Sequence, residues 1–172
     1  SKFITAKDLG LGSGTDHDAF KTVLWDKAAG APAVPKGSMG FRYADDGPGQ
    51  WNLELGDLDP ALSLTETGDY EAVEIALPCF EDPRGEGSVI RRGVPAKRVG
   101  DDLVTTVYDL MLAQYGVGRD GLPGQWPAGY DDADVPYTPA WQEAITSVPA
   151  EACLRIAREF AANSEVSKGR TM

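Results

Sequence analysis

The sequence predicts an α+β fold, with a β-rich antiparallel first half over about 20–100 and a helical second half over about 102–165. Three observations predict it. Short runs of alternating apolar residues occupy the first hundred positions, and alternation is the pattern of half-buried strands. The apolar spacing then changes to a period of three to four. The 20 glycines and 12 prolines call for many turns rather than one long bundle.

Residues 1–20, rich in Gly and Asp, read as a flexible loop with one short helical turn. Residues 21–100 form the β-rich region. Thr22-Val23-Leu24-Trp25 is a short β-prone run. Ser38–Tyr43 and Gln50–Leu55 alternate large with small or apolar with polar residues, with Trp51, Leu53 and Leu55 on one face. The link Ala44-Asp45-Asp46-Gly47-Pro48-Gly49 has strong turn chemistry, so these two runs should form an antiparallel hairpin. A strand is expected over 70–80, with Val73, Ile75 and Leu77 on one side. A polar loop follows over 81–88. Another extended segment covers 89–99, interrupted by Pro95.

Residues 101–172 form the helical region. Val104, Val107, Tyr108, Met111, Leu112 and Tyr115 make an apolar stripe, with Asp101 or Asp102 as cap and Gly116 as terminator. A Gly/Pro/Asp loop spans 116–136. Thr138 then caps a second helix with Pro139 at its first position, and Val148-Pro149 opens a third. Trp141 and Ile145 share a face of the second. Cys153, Ile156, Ala157, Phe160 and Ala161 form the apolar stripe of the third, whose first turn holds Glu151. The whole reads as one compact unit.

The net charge of −11 argues against nucleic acid or an anionic membrane as partner, because an acidic surface repels phosphate. No stretch approaches the roughly 20 apolar residues of a membrane span. Two cysteines far apart, Cys79 and Cys153, are neither a metal motif nor a disulfide framework; they read as small buried, unpaired thiols in a reducing compartment.

Few groups could carry chemistry. His17, the only histidine, lies between Asp16 and Asp18, but adjacent residues rarely converge on one ion and a zinc site needs more ligands. Gly10-Leu11-Gly12-Ser13-Gly14 resembles part of a dinucleotide turn, yet Thr15 stands where the last glycine belongs. Asp131, Asp132 and Asp134 could take a hard cation, or serve as caps and turns, which suits their spacing better. Arg91, Arg92, Lys97 and Arg98 form a local basic patch, read as an edge strand protected by charge or, alternatively, as a contact for an acidic partner. Trp25, Trp51, Trp126 and Trp141 are candidate core anchors, although Trp126 lies in a loop, where an exposed tryptophan would point to a missing covering surface and its replacement should cost less than that of Trp141. No catalytic, cofactor-binding or metal-binding residue is assigned.

Tyr137-Thr138-Pro139-Ala140-Trp141 through Val148-Pro149, followed by Arg155-Ile156-Ala157-Arg158-Glu159-Phe160-Ala161, resembles a recurring segment of the molybdopterin oxidoreductase superfamily. There T-P-x-W opens a helix and T-G-V-P leads into the next; Ser147 stands here for the usual glycine. Leu103–Leu110 with Ala113-Gln114-Tyr115-Gly116, Tyr130-Asp131-Asp132, and Val34–Arg42 with Gln50–Glu54 are similar to the respiratory nitrate reductase alpha subunits, so the resemblance runs from about residue 21 to the end. It implies an excised part of a larger molybdopterin oxidoreductase fold, and the abrupt ends Ser1-Lys2-Phe3 and Arg170-Thr171-Met172 fit that expectation.

The resemblance also implies a parent that reduces nitrate to nitrite in anaerobic respiration. That parent would carry molybdenum on two molybdopterin guanine dinucleotides and a 4Fe-4S cluster. Its partners would be the rest of the alpha subunit, an iron–sulfur beta subunit and a membrane haem gamma subunit, at the cytoplasmic face of the cell membrane. No residue here matches the metal-ligating motifs, so this segment is expected to hold no cofactor and to be inactive alone. The alternatives are a segment of another molybdopterin oxidoreductase and a free-standing acidic binding module.

Overall fold

The computed structural model describes residues 2–12, 14, 16–36, 54–79 and 89–167. Antiparallel sheets come first in the chain and the longer helices follow, which is the α+β arrangement. The chain divides into two compact units, Ser1–Tyr70 and Glu71–Met172. The division falls at 70/71, not at the change of periodicity near 100, because the strands after residue 70 form the platform for the first of the helices that follow.

In the first unit, the loop expected over 1–20 contains two short helical pieces. Helix α1 (Ala6–Leu9) is capped by Thr5, which accepts from Asp8 N at 3.4 Å while Asp8 Oδ2 accepts from Thr5 N at 2.9 Å. This reciprocal box satisfies two amide donors that the helix itself leaves open. Ala6 is buried, and its N–H donates to Lys21 O at 3.2 Å. A single 3-10 turn covers Asp16–Ala19.

Strands β1 (Leu24–Asp26) and β2 (Ala31–Ala33) form a hairpin, two residues later than the run Thr22–Trp25 suggests. The Asp26 carboxylate sets the position: Oδ1 accepts from Ala28 N and from Asp59 N, each at 3.1 Å. It thereby ties the hairpin turn to the segment that runs beside β1. A second 3-10 turn, Leu64–Thr67, is capped by Ser63 and buries Leu64. The hairpin expected over 38–55 lies largely outside the described residues; Glu54 of its second run pairs antiparallel with Lys36, donating its N–H to Lys36 O at 2.9 Å.

In the second unit, β3 (Glu71–Pro78), β4 (Val89–Val99) and β5 (Asp102–Val104) form an antiparallel sheet in the order β3-β4-β5. On β3 the expected face holds: Val73 and Ile75 are half-buried, Leu77 is buried, and the residues between are exposed. The loop expected over 81–88 lies outside the described residues.

Pro95 does not interrupt β4. In a strand a residue's N–H and C=O point to the same edge. Gly93 N donates to Pro123 O at 2.6 Å and Gln125 N to Arg91 O at 2.9 Å, and Lys97 and Val99 pair with β5. Odd-numbered positions of β4 therefore face away from β3. The missing donor of Pro95 falls on that edge, where its carbonyl accepts from Thr105 Oγ1 at 2.7 Å, and the β3 ladder loses nothing.

The helix expected from residue 101 begins later, as α2 (Val107–Gln114). Asp102, Leu103 and Val104 turn back along β4 instead, and ladder bonds there outweigh local helical periodicity. Thr106 is the cap, accepting from Asp109 N at 3.0 Å. The packed face also differs. Asp109 and Ala113 are buried and Leu110 joins the core, whereas Val107 and Tyr115 of the expected stripe are 59% and 60% exposed. That core comprises Leu77, Ile90, Val94 and Ala113, with Ile75, Cys79, Leu110, Trp126 and Tyr137 packed around it.

Helices α3 (Pro139–Thr146) and α4 (Ala150–Ser167) pack on each other and begin as their prolines predict. Trp141 N donates to Thr138 Oγ1 at 3.0 Å, and Ala150 N to Glu143 Oε2 at 2.8 Å.

Candidate functional site

The most concentrated polar chemistry of the second unit gathers around Arg92. This residue lies on the inward face of β4 and is 0% exposed. Its Nη1 donates to Ala113 O at 2.7 Å and Gln114 O at 2.9 Å, its Nε to Gln125 O at 2.9 Å, and its Nη2 to Pro136 O at 3.4 Å. The guanidinium carbon stands 5.6 Å from the Trp126 ring centroid, a cation–π contact. No carboxylate appears among these bonds. The charge is held by the carbonyl end of α2, where the helix dipole favours a cation and the last carbonyls lack helical partners. Burial pulls the guanidinium below its ordinary value, although an arginine remains charged. One side chain thus ties β4, the end of α2 and two points of the loop between α2 and α3 together. Its donors are occupied by the chain itself, so it is a structural centre.

A second charged pair supports the same helix. Asp109, wholly buried, accepts from Arg119 Nη1 and from Thr106 Oγ1 at 2.8 Å. The loop after α2 is thereby closed back onto the helix start.

The groups singled out in the sequence fall into structural roles. His17 belongs to the backbone turn Asp16–Ala19. Asp18 is buried, accepting from Gly14 N at 2.8 Å and Lys21 Nζ at 3.0 Å. The Gly10–Gly14 loop lies close to this carboxylate: a Cβ at Gly12 would sit 1.9 Å from Asp18 Oδ2. Gly12 makes room for an aspartate of the same chain.

Asp132 organises its loop. Its carboxylate accepts from Ala128 N at 3.0 Å and Asp134 N at 3.1 Å, and its carbonyl accepts from Thr138 Oγ1 at 2.5 Å. The backbone N–H of Ala128, with those of Asp134 and Val135, holds its carboxyl below the usual carboxylate range. This is the turn role, and it delivers the chain to the start of α3.

The basic patch is dispersed. β4 is the central strand, not an edge, because β5 and the segment 123–125 cover the side away from β3. Arg92 points inward, while Arg98 pairs with Glu71 at 3.0 Å and Arg91 lies 3.8 Å from Glu74 on β3. A Cβ at Gly93 would sit 2.7 Å from Pro123 O, so only glycine admits this close approach.

Both cysteines are free and half-buried rather than buried; Cys153 accepts from Gln142 Nε2 at 3.4 Å. Trp126 is no loop ornament. It packs on the core and donates Nε1–H to Leu122 O at 3.1 Å. Trp141 is half-buried and stands edge-on to Tyr137 at 5.3 Å, and Tyr137 does the same to Tyr115 at 6.2 Å. Among the described residues, no three His, Cys, Asp or Glu side chains form a group that could hold a metal ion, and no helix is long and apolar enough to cross a membrane.

The chain is 50% identical over 175 residues to a nitrate reductase alpha subunit of Mycobacterium tuberculosis, 38% over 181 residues to the nitrate reductase alpha chain of Bacillus subtilis, and 40% over 189 residues to the respiratory nitrate reductase 2 alpha chain of Escherichia coli. Each alignment covers 99% of this chain but only 14–15% of the relative. No family model matches the chain, and no solved structure matches it. Through that 14–15% of their length, the chain belongs to the family of nitrate reductase alpha subunits.

Proposed function

We propose that the chain is a structural segment of the catalytic subunit of a respiratory nitrate reductase, whose intact form reduces nitrate to nitrite at a molybdenum–pterin centre during anaerobic respiration. The observation that carries this reading is identity of 36–50% to such subunits, spread over nearly the whole chain. In this reading the intact subunit binds molybdenum on two molybdopterin guanine dinucleotides and a 4Fe-4S cluster. It works with an iron–sulfur beta subunit and a haem-bearing gamma subunit at the cytoplasmic face of the membrane.

This reading assigns no ligand of those metals to the segment. Asp18, Asp26, Asp109 and Asp132 all accept hydrogen bonds from their own chain, and no metal-holding group forms among them. We therefore route no chemical step through this segment. Its contribution is a rigid αβ support, built on Arg92 and Asp109, that holds its helices in place within the subunit.

The test compares the intact polypeptide with the 172-residue chain. The intact subunit, supplied with a reduced viologen, should convert nitrate to nitrite and contain molybdenum and iron in stoichiometric amount. The chain alone should do neither, because no side chain in it passes two electrons to nitrate. An intact polypeptide lacking molybdenum and nitrate turnover would overturn the reading.

A further inference from the structure

Helix α4 leaves its own apolar stripe uncovered. Its first turns pack against α3, where Cys153 is half-buried, but Ile156 and Phe160 on the same stripe are 57% and 56% exposed. Arg158 lies on the opposite side, and Arg155 and Glu159, paired at 2.9 Å, flank the stripe on its Ile156 edge. A free surface helix normally puts its apolar stripe inward and its charges outward. Here the charges face water as expected, and the stripe has no cover among the described residues of the second unit.

We infer that the Ile156–Phe160 face of α4 is an interaction surface that docks against an apolar surface in the remaining polypeptide of the same nitrate reductase alpha subunit. Two observations choose this occupant. The chain matches only 14–15% of its relatives' length, so most of such a subunit lies outside it. The net charge of −11 opposes a second copy, which would bring like charges together around the contact. The stripe also continues directly from the packed contact with α3, so one layer of cover would extend an existing seam along about 6 Å of helix from Ile156 to Phe160. The inference rests on the parent reading above.

Cysteine labelling in the intact subunit tests it. Ile156→Cys and Phe160→Cys lie on the stripe, and Arg158→Cys lies nearly opposite both at about 100° per residue. In the folded subunit the first two thiols should react at least about tenfold more slowly than the third, and all three alike after denaturation. Equal rates in the folded subunit would overturn the inference. So would protection that depends on protein concentration, because it would assign the face to a second copy. Should a stripe variant fail to accumulate, hydroxyl-radical footprinting of the unsubstituted subunit makes the same comparison: Phe160 should be protected relative to Val166, which is 87% exposed. Equal modification of the two would overturn the inference. Nitrate turnover by the same preparation reports separately on the parent reading, so the failure of one is distinguishable from failure of the other.

Discussion

Arg92 carries more structural consequence than any other single side chain described. Replacing it with leucine removes the donors for four carbonyls and the cation at the end of α2. An unsatisfied buried polar group costs about 1–3 kcal/mol, so Arg92→Leu should destabilise by roughly 3 kcal/mol or more in urea unfolding. Arg92→Lys should recover only part of this, because an ammonium cannot reproduce the planar fork. A neutral Arg92→Leu would show that the carbonyls find water instead. Asp132 supplies a pH dependence. Its carboxyl is lowered in the folded state, so its contribution is complete above the ordinary carboxylate value of 3.8 and is lost as pH falls through the lowered folded value. The melting-temperature gap between wild type and Asp132→Ala should be constant near neutrality and close below about pH 4. A gap that persists unchanged at pH 2 would refute the role. The tryptophans add a ranking. Trp126 joins the core and lies beneath a buried guanidinium, whereas Trp141 meets Tyr137 at the edge of the packed region. Trp126→Ala should cost about 3 kcal/mol and Trp141→Ala about 1–2 kcal/mol, read from thermal melts. This reverses the order suggested by loop and helix positions alone.

Among the elements, the link between α3 and α4 holds a testable strain. Ser147 has φ 60°, in the left-handed region, where its N–H donates to Glu143 O at 2.9 Å. A side chain there meets steric cost that glycine avoids. A glycine at this point would avoid that cost, and serine tolerates the position at some expense. Ser147→Gly should therefore raise stability by about 0.5–1 kcal/mol, in spite of glycine's greater freedom when unfolded. A loss of stability would mean that the unfolded-state entropy outweighs the relieved strain. α2 teaches the complementary lesson. Its expected stripe was read from spacing, yet the side that packs is the one with Asp109 and Ala113, because Arg92 and Arg119 draw polar groups of the helix toward β4 and the following loop.

For the whole molecule, the proposal separates the segment from the enzyme. The 172-residue chain should purify without stoichiometric molybdenum or iron and without nitrate turnover, and the intact subunit should have all three, by elemental analysis and nitrite assay. Metal bound tightly to the chain alone would contradict the ligand inventory of the described residues.

Legible in the sequence were the α+β class, the inward face of β3, the threonine-capped start of α3, the proline-led starts of α3 and α4, and the family. Each of these rests on local chemistry or on residue-by-residue likeness: alternation along Val73, Ile75 and Leu77, a threonine before a proline, a string of matching motifs. Only the tertiary structure decided that residues 102–104 pair with β4 instead of starting a helix, that β4 is central, that Trp126 is core, and that the basic patch splits into a buried arginine and surface ion pairs. Residues 102–104 find their partners close by, Asp102 on Val99 and Val104 on Lys97, and there ladder bonds overrule the local helical period. The other three share one physical reason: the neighbours of β4 and Trp126 and the acceptors of Arg92 come from distant positions, as Arg92 takes Gln125 and Pro136, and no local period records them.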